Sequence, residues 1–318
     1  MNSNNQEFLQ DVVDGLSDLP KRISSKYFYD ENGDALFQQI MELDEYYLTR
    51  AEYDIFETQK DRILNNITDD HAHFNLIEFG AGDGYKTKVL LRYFLQKNAD
   101  FNYMPIDISQ NVLDGLECSL NKEIPDLTLK CLQGDYFETL NDLEHSEDET
   151  NVILFLGSNI GNFTPDEALE FLTNLRAKLS PGDLLIIGID LKKEPRKILM
   201  AYNDKKGITK EFNLNLLRRI NRELDADFEI DTFWHYPIYN PVSGECVSML
   251  ISRIEQEVNI GAANRSFHFE QWEPIHTEIS RKYSIKQLDT MAKKSGFEIR
   301  DNLFDKDEYY VDTIWKAI

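Results

Sequence analysis

The sequence predicts an α/β fold built on a doubly wound, largely parallel sheet with helices on both faces. Between residues 75 and 190, short apolar runs alternate with stretches of helical spacing, which is typical of successive strand and helix units. The first run, residues 76–79, breaks into three glycines at positions 80, 82 and 84 before a helical pattern begins at Lys88. A glycine loop between strand and helix lets the backbone approach a ligand closely, and the free N–H groups of the helix start favour polar or anionic groups there.

The predicted strands continue in the order of a doubly wound fold. Thr164 and Pro165 read as the cap and the first residue of a helix, and Glu167 completes a capping box. This helix start places residues 157–163 on the loop after the fourth strand. In an open α/β sheet, such a loop faces the ligand crevice beyond the carboxyl ends of the strands. The predicted strands are residues 76–79, 103–107, 128–132, 152–156 and 184–190.

Changes of pattern along the chain predict three parts. The residues ahead of the first strand show amphipathic helical spacing and are expected to form a lid, whereas residues 1 to about 25 are polar and are expected to wrap the surface. Beyond Pro195, helical stretches and then alternating runs indicate an inserted α+β domain. The predicted domains are an N-terminal helical lid packing on the core at 1–66, a ligand-binding sheet domain at 67–195 and 281–318, and a substrate-binding α+β domain at 196–280.

Two runs at the end of the chain, residues 297–304 and 309–318, read as a pair of strands. A helix over residues 284–295, stopped by Gly296, precedes them. Because the edge of the first sheet would otherwise stay open, we expect this pair to complete that sheet.

Composition narrows the classes of partner. The net charge of -23 disfavours nucleic acid, because binding a polyanion requires clustered Lys and Arg. No apolar run approaches the ~20 residues that a membrane span needs, and the first residues lack signal-peptide character. Cys118, Cys131 and Cys246 are odd in number and far apart, which is typical of free thiols in a reducing cytoplasm and matches no zinc pattern. We therefore expect a cytoplasmic monomer that acts on a small molecule, with no metal, membrane or nucleic acid.

Acidic residues at two strand ends indicate the ligand. Asp107 ends the second predicted strand, roughly where a dinucleotide-binding fold places its ribose-binding carboxylate, which fits NAD and S-adenosylmethionine alike. Asp135 and Tyr136 follow the third strand, and together they offer an adenine ring one acceptor for its amino group and one aromatic face. In this order, after three successive strands, the features favour a methyltransferase over an NAD oxidoreductase.

Further stretches carry a family resemblance over nearly the whole chain. Besides the glycine loop and Asp107, they are residues 26–30, 36–37, 45–52, 134–136, 155–162, 201–204, 221–228 and 277–283. With these, the chain resembles the histidine-specific Nα-methyltransferases of ergothioneine biosynthesis. The resemblance implies a Rossmann-like class I methyltransferase sheet with an inserted substrate-binding domain, S-adenosylmethionine as methyl donor and S-adenosylhomocysteine as product. It also implies that the α-amino group of L-histidine is methylated three times to hercynine.

The same resemblance implies which residues bind the methyl donor and which bind the amino acid. Lys86 would pair with the methionyl carboxylate, Asp107 would accept from the ribose hydroxyls, and Asp135 would accept from the adenine amino group. The implied cofactor-binding residues are Gly80, Gly82, Lys86, Asp107, Asp135, Tyr136 and Gly157. The implied substrate-binding residues are Phe37, Tyr46, Asn162, Tyr202, Met249, Glu278 and Ser280.

Roles within the amino-acid site follow from the resemblance too. Tyr29 and Asn162 are the implied catalytic residues and would hold the α-amino group. Tyr46 and Tyr202 would bind the carboxylate. The imidazole nitrogens fall to Glu278 and Ser280.

One departure from the family pattern lies in the loop after the fourth strand, where Ser158 and Asn159 stand in place of Gly-Thr. It bears on how the substrate amine and carboxylate are contacted and leaves the reaction class standing. The alternatives are methylation of another aromatic amino acid or an indole amine, and a methyltransferase fold that binds the cofactor without turnover. Glu278 distinguishes the first of these, because a charged acceptor suits an imidazole N–H and an indole pocket is expected to be more apolar.

Overall fold

The computed structural model describes residues 3–69, 73–134, 136–142 and 150–318. The helices are α1 (Ser3–Ser17), α2 (Glu31–Met41), α3 (Leu48–Thr68), α4 (Thr87–Gln96), α5 (Gln110–Glu123), α6 (Tyr136–Asp142), α7 (Pro165–Arg176), α8 (Pro195–Ala201), α9 (Ile208–Leu224) and α10 (Ile285–Lys294). Short 3₁₀ helices span Ser25–Phe28, Asn159–Asn162, Ile230–Thr232 and Gly261–Ala263.

The strands are likewise numbered in their order along the chain. They are β1 (Lys21–Arg22), β2 (His73–Phe79), β3 (Asp100–Asp107), β4 (Leu132–Gln133), β5 (Thr150–Phe155), β6 (Leu184–Asp190), β7 (Phe233–His235), β8 (Ile238–Asn240), β9 (Glu245–Ser252), β10 (Gln256–Ile260), β11 (Arg265–Phe269), β12 (Pro274–Arg281), β13 (Phe297–Phe304) and β14 (Tyr310–Ala317). None of the helices in the described ranges combines the length and apolar character that a membrane crossing requires.

The chain divides into two units, and the amino-terminal boundary differs from the predicted one. Met1–Tyr47 with Lys193–Arg281 form the first unit, and Leu48–Lys192 with Lys282–Ile318 form the second. The predicted lid of residues 1–66 is therefore divided at Leu48. Its two helices pack on different partners: α2 lies against α9, whereas α3 lies against α4 and β14.

The second unit contains a seven-stranded sheet in the order β13-β14-β6-β5-β2-β3-β4. The pairs from β4 through β6 are parallel, and β14 runs antiparallel to both β6 and β13. The terminal strand pair therefore completes the first sheet, as the sequence predicts. Every residue of β6 is buried, which accounts for its continuous apolar run. This mixed sheet with helices confirms the predicted fold class.

The strand order positions two loops for ligand binding. From β2 the chain winds outward through β3 and β4, and it then returns to place β5 and β6 on the other side of β2. The order reverses between β2 and β5, and in open α/β sheets ligands bind beyond the carboxyl ends of the strands at that reversal. The predicted capping box that ends the loop after β5 is present, since Thr164 Oγ1 accepts from the Glu167 N–H at 3.3 Å and the Glu167 carboxylate accepts from the Thr164 N–H at 2.8 Å.

The third predicted strand is shorter than the sequence indicated. Only Leu132–Gln133 forms β4, and Leu129 makes a single isolated bridge to Tyr103. This strand lies at the edge of the sheet, where one neighbour instead of two holds its backbone, and short edge strands are common there.

The first unit combines helices with a smaller sheet in the order β1-β12-β9-β7, in which β8 also pairs with β9. The expectation that residues 1 to about 25 wrap the surface is wrong for α1. Phe8, Val12 and Leu16 repeat at helical spacing and are buried in one core with residues of α9 and β9. An amphipathic stripe of this kind buries a helix even when most of its residues are polar.

Candidate functional site

The glycine loop after β2 has the backbone geometry that its sequence predicts. Gly80, Gly82 and Gly84 have φ angles of +66°, +56° and +66°, in the left-handed region that L-residues with side chains rarely adopt. A Cβ atom built on Gly82 meets no atom within 4 Å, so the backbone there faces open space. The loop then enters α4 at Thr87, which leaves the N–H groups of the helix start directed toward the same edge of the sheet.

Tyr136 lies directly beside this loop. A Cβ atom on Gly80 would come within 2.9 Å of the Tyr136 hydroxyl oxygen, so only glycine leaves room for that hydroxyl group. The Tyr136 ring stacks on Phe79 with the centroids 4.5 Å apart and the planes 2° apart. One face of the Tyr136 ring, which the sequence predicts to contact adenine, is therefore covered by Phe79.

Asp107 stands at the carboxyl end of β3 as predicted. Its Oδ1 atom accepts from the Ser109 N–H at 2.8 Å, and burial raises the pKa of the carboxyl group, partly offset by backbone hydrogen bonds. Ile108, which the sequence analysis did not single out, is 76% exposed beside it. An exposed apolar residue next to an acid at a strand end offers a surface that a flat base can cover. The predicted adenine partner Asp135 lies outside the described residues.

Lys86 is already paired within the protein. Its ammonium group forms an ion pair with the Glu52 carboxylate of α3. Burial by itself lowers the pKa of Lys86, but the negative charge of Glu52 outweighs that effect and the pKa is raised. A methionyl carboxylate at this position would have to share the ammonium group with Glu52.

The loop after β5 accounts for the departure at Ser158. Gly157 and Ser158 have φ angles of +74° and +60°, so Ser158 adopts a conformation that glycine would adopt more easily. Its buried Oγ atom accepts from the Asp190 N–H at 3.1 Å, a bond that glycine cannot make. Asn162 ends the following 3₁₀ helix and is exposed.

The first unit brings together aromatic residues that the sequence placed in the amino-acid pocket. The Tyr29 and Phe37 rings meet edge to face at 5.7 Å, and the Phe37 and Tyr46 rings do so at 6.2 Å. Phe212 of α9, which sequence reasoning missed, lies 5.8 Å from Tyr29 and 5.9 Å from Phe37. These rings form a cluster of the kind that binds an organic cation through its ring faces.

Glu278 and Asp34 are acidic groups close to this cluster. Desolvation raises the pKa of Tyr29, and the negative charges of Glu278 and Asp34 raise it further. Tyr29 therefore keeps its phenolic proton to a higher pH than an ordinary tyrosine does, although the residue is 46% exposed overall. In the sheet, Ser248 stands opposite Glu278, and its hydroxyl group donates to the carboxylate over a long 3.5 Å. Sequence reasoning missed Ser248.

Tyr202 and Ser280 form a pair with each other. The Tyr202 hydroxyl group donates to Ser280 Oγ at 2.7 Å, and both residues are buried. The His235 ring nitrogen Nε2 lies 2.9 Å from the Tyr202 carbonyl oxygen, and burial lowers the pKa of His235. Met249 is buried too, and the strand register pairs it with His276 instead of Glu278. The two predicted ligand contacts at 202 and 280 are thus linked before any substrate binds.

Glu78, the last acid before the glycine loop, is buried between two hydroxyl groups. Thr87 Oγ1 donates to it at 2.7 Å and the Tyr103 hydroxyl group at 2.5 Å. Burial raises the pKa of Glu78 to about 7, although both hydrogen bonds lower it. This carboxyl group, at the end of β2, thereby links β2 to the start of α4 and to β3.

Two of the residues that sequence reasoning missed carried a detectable signal. Glu52 occupies the buried face of α3 together with Ile55 and Phe56, and a charged residue on an apolar helix face indicates a buried partner. Glu78 is likewise an acid inside an apolar strand. Ser248 and Phe212 carried no such signal, because serine in a strand and phenylalanine in a helix are ordinary core residues.

The largely parallel sheet and the glycine loop after β2 are typical of α/β proteins that bind a nucleotide-like ligand beyond the carboxyl ends of their strands. A family model for histidine-specific, S-adenosylmethionine-dependent methyltransferases matches residues 8–317. Since the match covers nearly the whole chain, the protein belongs to that family of S-adenosylmethionine-dependent methyltransferases.

Individual relatives support the assignment. The chain is 35% identical over 287 residues to the histidine N-alpha-methyltransferase of Mycobacterium tuberculosis, covering 90% of this chain and 88% of the relative. It is 36% identical over 287 residues to the protein of the same name from Mycolicibacterium smegmatis, with the same coverage. Among solved structures, the mitomycin 7-O-methyltransferase MmcR is similar with a TM-score of 0.50 at 12% identity, covering 99% of this chain and 67% of that chain. This last likeness shows the fold alone.

The buried Glu78 predicts a specific dependence of stability on pH. The pKa of Glu78 rises from its ordinary value of 4.5 to about 7 in the folded protein, so the folded protein binds the proton more tightly than the unfolded chain does. The resulting stability is fully present below the unfolded pKa and is lost as the pH rises through the folded pKa. Relative to Glu78→Gln, the wild-type free energy of unfolding should fall by about 3 kcal/mol between about pH 4 and about pH 8.

Urea unfolding of both proteins across this pH range measures the difference between their free energies of unfolding. The titration of all other groups cancels in this difference because both proteins contain those groups. Parallel pH profiles for the wild type and Glu78→Gln would mean that Glu78 is ionised as easily in the fold as in the unfolded chain.

Proposed function

We propose that this protein transfers methyl groups from S-adenosylmethionine to the α-amino nitrogen of L-histidine, three in succession, to give hercynine. The family match and the two histidine N-alpha-methyltransferases at 35% and 36% identity support the proposal. The observation that carries the choice of histidine is the acid Glu278 close to the ring cluster of Tyr29, Phe37 and Tyr46.

The residues of the second unit fit the methyl donor. The exposed backbone at Gly82 suits close approach of a ligand, and Asp107 with the exposed Ile108 suits a ribose and the flat base attached to it. S-adenosylmethionine supplies a methyl group already activated on a sulfonium sulfur. The protein's own task is therefore to bind and orient both reactants, and positioning supplies most of the acceleration.

The residues of the first unit fit an aromatic amino acid with a ring N–H group. Glu278 would accept a hydrogen bond from the imidazole N–H group. A charged acceptor suits an imidazole better than it suits an indole or a phenyl ring. Ser280, held by Tyr202, offers a second polar group for the other ring nitrogen. We assign Tyr46 and Tyr202 to the substrate carboxylate and Met249 to contact with the apolar part of the substrate.

The amine must lose its proton before it can attack. The Tyr29 hydroxyl group is neutral at physiological pH, so its oxygen can accept a hydrogen bond from the amine while its O–H group donates a hydrogen bond to another acceptor. Asn162 is assigned to the same amino group through its side-chain carbonyl. Burial of the amine disfavours its ammonium form, so desolvation removes the need for a strong base. The aromatic rings then stabilise the growing methylammonium cation.

We also propose that the protein works as a monomer in the cytoplasm, on a free amino acid. Cys118, Cys131 and Cys246 form no disulfide with one another, which suits a reducing compartment. The strongly acidic surface implied by a net charge of -23 favours solubility and disfavours nucleic-acid partners.

The donor assignment predicts a loss of cofactor affinity in Asp107→Ala. Removing an acceptor of ribose hydroxyl groups should weaken S-adenosylhomocysteine binding by roughly 1.5 to 3 kcal/mol per lost charged hydrogen bond. Titration calorimetry measures this directly. Asp100→Ala is the matched control, because Asp100 is an exposed acid at the other end of the same strand β3 and should keep wild-type affinity. Equal affinities in the two folded variants would remove Asp107 from the donor site.

The histidine assignment predicts a change of specificity in Glu278→Gln. The side chain keeps its size and loses its charge, so the hydrogen bond from imidazole should weaken by about 1 to 2 kcal/mol, or roughly five- to thirtyfold in kcat/KM for histidine. Activity with tryptophan, which lacks the second ring nitrogen, should change much less. Steady-state assays with both amino acids measure the ratio.

Glu270→Gln provides the control for lost charge, since Glu270 is an exposed acid of the same unit. If Glu278→Gln lowers both activities equally, or neither, then Glu278 does not recognise the imidazole, and the indole alternative gains support.

A further inference from the structure

Glu52 is a buried carboxylate that binds three donors from three separate segments. Its side chain is 1% exposed. Oε1 accepts from the Gly157 N–H and from the Tyr310 hydroxyl group, each at 2.8 Å, while Oε2 is ion-paired with Lys86. One side chain of α3 thereby holds the glycine loop after β2, the loop after β5 and strand β14.

The surrounding strands leave room for this carboxylate. A Cβ atom built on Gly188, in the middle of β6, would lie 2.1 Å from Glu52 Oε1 and 2.6 Å from the Tyr310 hydroxyl oxygen. A glycine inside a buried strand weakens the strand, and it commonly marks a site where another group approaches closely. The approaching group at Gly188 is the Glu52 carboxylate.

The charges of the neighbouring groups make Glu52 the counterion of Lys86. Asp312 stands opposite Gly188 in the sheet, and neither of its carboxyl oxygens has a hydrogen-bond partner. Burial, together with the charge of Glu52, raises the pKa of Asp312 well above its usual range, which favours the neutral form of Asp312. Burial and Glu52 raise the pKa of Tyr310 in the same way, so its hydroxyl group stays a donor. Glu52 is the carboxylate that forms an ion pair with Lys86, and the charges of Asp190 and Asp305 also act on this group.

Stability alone is a weak reason for this arrangement. A buried ion pair is often no more stabilising than well-packed apolar side chains of the same volume. The neighbours of Glu52 on the same helix face, Ile55 and Phe56, are apolar and buried. What the carboxylate adds is a fixed distance between the two loops that carry Lys86 and Gly157.

We propose that Glu52 is a positioning residue for the methyl donor. Glu52 does not contact the donor itself; it holds the loops after β2 and β5 in the arrangement that binds the donor. The proposal rests on the proposed function, since Lys86 and Gly157 are assigned to S-adenosylmethionine. Glu52→Gln tests it sharply. The amide oxygen of glutamine can still accept from Gly157, whereas its NH₂ group cannot pair with Lys86, so only the glycine loop is released.

In Glu52→Gln, the Kd for S-adenosylhomocysteine should rise about tenfold, the loss expected when one charged hydrogen bond no longer holds its partner in place. In steady-state assays, KM for S-adenosylmethionine should rise by a similar factor, while KM for histidine stays within about twofold. Calorimetry gives the Kd values, and circular dichroism on heating gives the Tm of each protein.

Asp183→Asn is the matched control for a lost buried charge. Asp183 is a buried carboxylate at the amino end of β6, away from the carboxyl ends of the strands, and it accepts from the N–H groups of Asn151 at 2.9 Å and Ser180 at 2.8 Å. Its substitution should lower Tm and leave the Kd for S-adenosylhomocysteine within about twofold. A rise in Kd in both variants that follows the fall in Tm would reduce Glu52 to a structural role and overturn the proposal.

The remaining outcomes separate this proposal from the function itself. If the wild type does not bind S-adenosylhomocysteine, the proposed function fails. If the wild type binds it and Glu52→Gln binds it equally well, the function stands and the positioning role is refuted. Should Glu52→Gln not fold, Glu52→Asp keeps the charge and withdraws it by one methylene group, and the same rise in Kd is expected. A chain that folds only with glutamate at this position would assign Glu52 to stability and refute the proposal.

Discussion

The reversal of strand order between β2 and β5 is the constraint on which the second unit, proposed to bind the methyl donor, depends. It brings two loops to the carboxyl edge of the sheet, and each contains residues with positive φ angles. Loops of this kind have little regular hydrogen bonding of their own, so other elements must hold them. Glu78 links the end of β2 to the start of α4 and to β3, and Glu52 ties the glycine loop to the loop after β5. The buried acids are therefore part of how the ligand edge keeps its shape.

Much of the fold could be predicted because its signals are local. The glycine loop, the Thr164 capping box and the terminal strand pair each depend on residues that are neighbours in the sequence. Helix α1 was misjudged for a related reason, since the polar composition of the first residues obscured the regular spacing of Phe8, Val12 and Leu16. The amino-terminal domain boundary could not be read at all, because it depends on which elements α2 and α3 contact.

The candidate site could be predicted only in part, because its hydrogen bonds join distant residues. Glu52 meets Lys86, Gly157 and Tyr310 across 34, 105 and 258 positions of the chain, so no local pattern reports the cluster. Tyr202 and Ser280 were predicted as separate ligand contacts, and their mutual hydrogen bond spans 78 positions. Residue types suggested the chemistry of the site, and the fold determines which of those residues are already paired.

The proposed reaction is a methyl transfer to one nitrogen of one amino acid. Its most direct test is to incubate the protein with S-adenosylmethionine bearing a deuterated methyl group, together with equal amounts of L-histidine and L-tryptophan, and to follow both by tandem mass spectrometry. We expect histidine to gain labelled methyl groups, up to three, all on fragments that contain the α-amino nitrogen, while tryptophan gains far less label. Label on the imidazole ring, label on tryptophan alone, or no label on either amino acid would contradict it.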